Sequence, residues 1–121
     1  LKLLKAKEGA QFYYYTHASS DNSANVIGVA TSKLETRVYI AFTNLDSAWY
    51  TISPDTILKA GNKTYKLTST LNCEISPNVS YIDSGETAYM ALIFPSIPSN
   101  SQTITVSEGG DGWLFEDISL K

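Results

Sequence analysis

Few side chains in this sequence can do chemistry. Nucleophilic catalysis needs a base held beside a Ser or Cys, with a third group orienting the base. His17 is the sole histidine, and it stands before a run of Ser, Asp and Asn. With 15 Ser in the chain, a Ser-His-Asp set can be written by chance, and His17 reads as a solvated loop residue. Cys73 is the single cysteine, so no internal disulfide forms. A reactive thiolate needs a nearby cation or a helix N-terminus. No Lys or His lies near Cys73 in sequence and Glu74 opposes ionisation, so an inert, buried thiol is expected.

One His and one Cys cannot build a zinc site. Calcium needs several clustered oxygens. Asp21 with Asn22, and Glu108 with Asp111 and Asp117, are the only candidates, and neither group has the alternating acids of a calcium loop. No metal and no cofactor is therefore expected. Glycoside hydrolysis needs two carboxylates at a set distance across a cleft, which no spacing here establishes. The run Glu108-Gly109-Gly110-Asp111-Gly112-Trp113 invites comparison with a phosphate cradle. It is acidic and opens into a β-type run, whereas phosphate loops use a helix N-terminus or an amide nest with a nearby cation. It reads as a turn with at least one glycine at positive φ, delivering Trp113 against the core.

Aromatic side chains are the remaining candidates. Tyr13, Tyr14 and Tyr15 are consecutive, so in a strand at least one faces outward. Trp49, Tyr50 and Trp113 add others. Exposed rings stack on sugars or anchor protein partners, and the candidates for such a surface are Tyr13, Tyr15, Tyr50 and Trp113. The competing reading is that alternate rings fill the core and the rest are ordinary Tyr on a β-surface.

These residues sit on short β-type runs. Residues 11–16 form one, followed by a polar loop at 19–25. Residues 26–30 form another, with Gly28 inside it. From Leu34 to Asn44 the pattern alternates: Leu34, Thr36, Val38, Ile40 and Phe42 on a buried face, Glu35, Arg37, Tyr39 and Ala41 on a wetter one. After a turn at residues 44–47 come Trp49 to Ile52, then Pro54 as an interruption. Gly61-Asn62 between two β-runs is the clearest hairpin signal, pairing residues 56–60 with 63–68. Residues 71–80 are irregular. Asp83-Ser84-Gly85-Glu86 is a turn, and residues 86–94 are the strongest core strand. Residues 102–106 and 113–120 are the last two. The expected core comprises Val38, Ile40, Phe42, Leu67, Met90, Leu92 and Phe94.

About eight strands without a convincing helix predict an all-β fold: an antiparallel two-sheet sandwich of immunoglobulin-like type, with a small β-barrel as the alternative. The length of 121 residues fits one domain, with residues 1–25 as an N-terminal segment able to supply an edge strand and residues 26–121 as the sandwich. Net charge is −3. Residues 61–121 carry three Lys against seven acids. No basic face is evident, which sets nucleic acid aside. The longest apolar run, residues 88–94, is far too short to cross a membrane. The chain starts Leu1-Lys2-Leu3 without Met or a cleavable signal pattern, and reads as a piece of a longer product.

Three ordered clusters are more specific. The first is Glu35-Thr36-Arg37-Val38-Tyr39-Ile40, then residues 49–58, then Gly61 to Leu67. The second is Asp83 to Glu86 followed by residues 92–98. The third is Ser107-Glu108-Gly109, Gly112-Trp113-Leu114-Phe115 and Ile118-Ser119-Leu120. Together these resemble an all-β, immunoglobulin-like domain of exported proteins from Bacteroidetes-type bacteria, often found ahead of thioredoxin-like or transglutaminase-like domains. The resemblance covers about residues 26–121. Ile57 stands where the family usually has an aromatic, and the stretch from Glu108 to Trp113 is compact. The family brings no catalytic residues to carry over. The resemblance implies an extracytoplasmic location, and a bacterial source would leave the sequons at Asn62 and Asn78 without meaning. The expectation is a non-catalytic binding or accessory domain that presents a surface to a protein or glycan. The alternative is a small hydrolase with an unrecognised acidic pair.

Overall fold

The computed structural model describes residues 7, 9–18, 24–43, 49–110 and 112–120. Several sequence expectations lie outside the described residues: the initial Lys/Leu segment, the polar loop at 19–23, the turn at 44–47, and Asp21, Asn22 and Asp111. The side chains of Tyr14, Tyr15 and His17 also lie outside them.

Eleven strands are described, and no helix. They are β1 (Gln11–Ala18), β2 (Ala24–Thr31), β3 (Thr36–Thr43), β4 (Trp49–Tyr50), β5 (Ile57–Ala60), β6 (Lys63–Lys66), β7 (Ser69–Leu71), β8 (Ser80–Tyr81), β9 (Thr87–Phe94), β10 (Thr103–Ser107) and β11 (Leu114–Ser119). One sheet runs β1-β2-β3-β9-β7, a second β11-β10-β5-β6, and β4-β8 form a separate two-stranded ribbon. Every strand pair is antiparallel. The sheets do not close into a barrel, and both larger ones feed one apolar core.

The longest unbroken pairing joins β3 to β9, from Thr36↔Phe94 to Thr43↔Thr87. Side chains alternate across a strand, so Val38 and Ile40 face Met90, Leu92 and Phe94 toward the second sheet's Leu58, Ile104, Val106, Phe115 and Ile118. Of the expected core, Phe42 and Leu67 are partly buried against this cluster and the other five are buried.

Two details of the alternation differ from expectation. Leu34 is 73% exposed. It sits in a turn where the Leu34 and Glu35 amides donate to Ser32 Oγ, both at 3.2 Å, so the strand begins only at Thr36. The opposite face of β3 is also not wet: Tyr39 is buried in a second cluster with Ala30 and Ala91. Phe12 of β1 stacks on it at 5.9 Å between centroids. A strand flanked on both sides gains a cover that periodicity in one segment cannot reveal.

The β2 register slips between Val26 and Gly28, and β1 slips opposite, between Tyr14 and His17. A Cβ on Gly28 would sit 3.3 Å from the Tyr13 carbonyl oxygen, which explains a glycine inside a buried strand. The β5–β6 hairpin forms around the expected turn, with Ala60↔Lys63 flanking it and Gly61 at φ 61°, but its pairing ends at Leu67, one residue short of the expected bound. Tyr65 and Leu67 both pack on the core. The chain then changes sheets across one peptide bond. The Leu67 amide donates to Thr56 O at 3.0 Å in the second sheet, while the Thr68 amide donates to Ile93 O at 2.8 Å in the first.

Thr36 is fully buried and its Oγ1 has no hydrogen-bond partner among the described residues. A buried hydroxyl without a partner costs about 1–3 kcal/mol of desolvation. Thr36→Val keeps the shape and removes the hydroxyl, so it should raise stability by about 1 kcal/mol in urea denaturation. A loss of stability would mean that the hydroxyl is bonded.

Candidate functional site

Tyr50 and Trp113 meet on one ring. Tyr50 packs on Phe42 at 5.7 Å and Trp113 packs on Phe42 at 5.6 Å and on Phe115 at 6.2 Å. Both are buried. The Tyr50 hydroxyl donates to Asn72 O at 2.8 Å, and burial pushes the phenol above its ordinary range. Tyr13 is partly buried against the same core. Tyr50 and Trp113 fill space within the fold, while Tyr13 packs on the core with one part and borders an open depression with the rest. The Tyr15 and His17 side chains lie outside the described residues.

Trp113 arrives through a turn in which Gly109 and Gly110 have φ of 84° and 54°. The Glu108 amide donates to Trp113 O at 2.9 Å. The Glu108 carboxylate does more than sequence suggested: Oε1 accepts from the Trp113 amide and Oε2 from the Ser53 amide, each at 2.9 Å. It clips the turn to a segment 55 positions earlier. Among the described residues, no three of His, Cys, Asp and Glu come together as metal ligands could.

Cys73 is buried, and its thiol is pushed up to about 12, first by desolvation and then by Glu108 and Glu74. Its reaction with a disulfide reagent at pH 8 should therefore be slow in native protein and fast in urea. The sign of the linkage follows from a raised folded-state value: the contribution is complete below the ordinary value near 9 and is lost as pH rises toward 12. Cys73→Ala should be less alkali-sensitive than wild type across that interval. Equal sensitivity, measured by urea midpoints at pH 8 and 10.5, would contradict the thiol's environment.

Among the described residues the exposed rings are Trp49, Tyr81 and Tyr89. In the β4–β8 ribbon Trp49 pairs with Tyr81 and Tyr50 with Ser80. Partners directly opposite share a face. With Tyr50 turned into the core, Trp49 and Tyr81 face outward together, 52% and 78% exposed. Alternation alone requires that Trp49 and Tyr50 point opposite ways; Tyr81 sits in a stretch that reads as irregular, so only the ribbon reveals it.

The platform is held from behind. Thr51 Oγ1 lies 2.6 Å from Asn78 O and 3.1 Å from Glu74 O and shares its one proton between these two carbonyls. The Ile52 amide donates to Glu74 O at 3.2 Å and the Ser76 amide to Ile52 O at 2.9 Å. The Glu74 amide donates to Ser80 Oγ at 3.1 Å. Asn72, at φ 58°, donates from Nδ2 to Tyr89 O at 2.7 Å. Beside Tyr81 lies an open depression of about 290 Å³ lined also by Asn72, Asp83, Glu86 and Thr87. Asp83 and Glu86 bracket a turn closed by the Glu86 amide donating to Asp83 O at 3.0 Å, with Gly85 at φ 82°. Aromatic faces beside exposed carboxylates and an amide can stack on a ligand and accept its hydrogen bonds.

A larger depression, about 550 Å³, lies between Tyr13, the β2–β3 turn and residues 96–101. Its lining mixes Ser, Gln, Lys33, Ile97 and Pro98 without a convergent set of charged groups. No helix among the described residues is long and apolar enough to cross a membrane. Compared with known proteins, the chain matches no family model, no curated protein and no solved structure.

Proposed function

We propose that this chain is a non-catalytic binding or accessory domain, an immunoglobulin-like two-sheet sandwich belonging to an exported bacterial protein and working outside the cytoplasm. The resemblance of its ordered motifs supports the export and the fold type, and two antiparallel sheets around one core support the fold type alone. The observation that carries the binding reading is the Trp49–Tyr81 pair, exposed on a ribbon whose back is fixed by the hydrogen bonds of Thr51, Glu74 and Ser80. Apolar ring surface covered there contributes on the order of 25 cal/mol per Å² before the costs of association are subtracted. Asp83 and Glu86 share an open depression and are themselves exposed, which suits ligand contact better than the water-excluding cleft that hydrolysis needs.

Trp49→Ser and Tyr81→Ser should each change stability by less than about 1 kcal/mol, the scale of an exposed cross-strand pair. The same variants should lose retention on an immobilised panel of neutral oligosaccharides and short peptides, of which the wild type retains at least one. Retention that both variants keep would move the binding surface elsewhere. Turnover of any panel member would overturn the non-catalytic reading.

A further inference from the structure

We infer that the ligand of the Trp49–Tyr81 face is cationic: an extended protein segment presenting Arg or Lys. This rests on the binding reading above. The depression beside Tyr81 is bordered by Asp83 and Glu86, and exposed Glu74 lies on the segment bonded to Ser80 of the same ribbon. From residue 67 to residue 120 the sequence contains no Lys, Arg or His. The basic groups of the described residues sit on other elements. Arg37 on β3 is paired with Glu35 of the preceding turn. Lys59, Lys63 and Lys66 lie on β5 and β6 of the second sheet, Lys33 in the β2–β3 turn and Lys7 ahead of β1.

Carboxylates beside open aromatic faces are complementary to a cation. An Arg guanidinium stacks on an indole or phenol face and donates in a planar fork to a carboxylate. A neutral sugar gains from the same rings, yet it leaves the Asp83 and Glu86 carboxylates unneutralised beside the contact. An anionic ligand is repelled.

The test uses an acetylated, amidated peptide of four Gly-Arg repeats, the same peptide with citrulline replacing every arginine, and cellotetraose, each titrated calorimetrically into the intact chain. The arginine peptide should bind at least about tenfold tighter than the citrulline peptide, and about fivefold weaker at 500 mM than at 50 mM salt. Tyr81→Ser and Trp49→Ser should each weaken it by about two- to fivefold. Asp83→Asn combined with Glu86→Gln should weaken it and flatten the salt dependence. Circular dichroism and melting temperature confirm that the variants fold. Equal binding of the citrulline peptide, no binding of the arginine peptide, or binding indifferent to Trp49 and Tyr81 would each overturn the inference. Cellotetraose bound through Trp49 and Tyr81 in place of the arginine peptide would also overturn it, while leaving the binding function standing.

Discussion

Trp113→Ala should lower the unfolding free energy by about 3–5 kcal/mol, the range for a large aromatic removed from a packed interior. The ring is only 9% exposed and contacts Phe42 and Phe115. Its loss leaves a void at the meeting point of the two sheets, since Phe42 belongs to β3 and Phe115 to β11. Relaxation into the void is limited because Trp113 is fixed on both sides of its peptide: its amide donates to Glu108 Oε1 and its carbonyl accepts from the Glu108 amide. Tyr50, which shares Phe42, should lose order at the same time. Equilibrium urea denaturation reads the effect. A change below about 1 kcal/mol would mean that Trp113 is not part of the core.

Gly112→Ala is the second large expectation, and backbone conformation is not its cause. Gly112 is absent from the positive-φ glycines, while a Cβ there would fall 2.5 Å from Glu108 Cβ and 3.1 Å from Glu108 Cδ. Those atoms cannot swing away without breaking the bonds from the Ser53 and Trp113 amides. Overpacking typically costs 1–3 kcal/mol, and bonds to a charged acceptor add more. The expected loss is about 2–4 kcal/mol. In a Glu108→Gly background the obstructing Cβ is gone, and Gly112→Ala should then cost less than about 1 kcal/mol. An equal cost in both backgrounds would contradict the steric account.

What could be read in advance follows the range of the forces involved. The core-facing positions of β3 from Thr36 onward and of β9, the Gly61 hairpin turn and the Gly85 turn are local, set by alternation or by a residue able to take positive φ, and they stand as read. Leu34 departed because a Ser32 side chain captured two amides and ended the alternation early. Tyr39 departed because Phe12 covers it from a strand two places away in the sheet. Glu108 was legible as a turn acid, but its partner Ser53 is far away in sequence. The β4–β8 ribbon has two residues on each side, too few for any period to appear. Nothing in the sequence around Tyr81 therefore marks it as a platform residue, and nothing local separates the packed rings of Tyr50 and Trp113 from exposed ones.

A ligand surface centred on Trp49 and Tyr81 comes with an internal control, since the chain's two tryptophans are one exposed and one buried. In a proton–nitrogen correlation spectrum of uniformly nitrogen-15-labelled protein each contributes one indole N–H signal. Titration with the arginine peptide, and separately with cellotetraose, should move the Trp49 indole signal saturably in at least one case and leave the Trp113 signal in place. Saturable movement of Trp113 with Trp49 unmoved, or no movement of Trp49 with either probe, would contradict it.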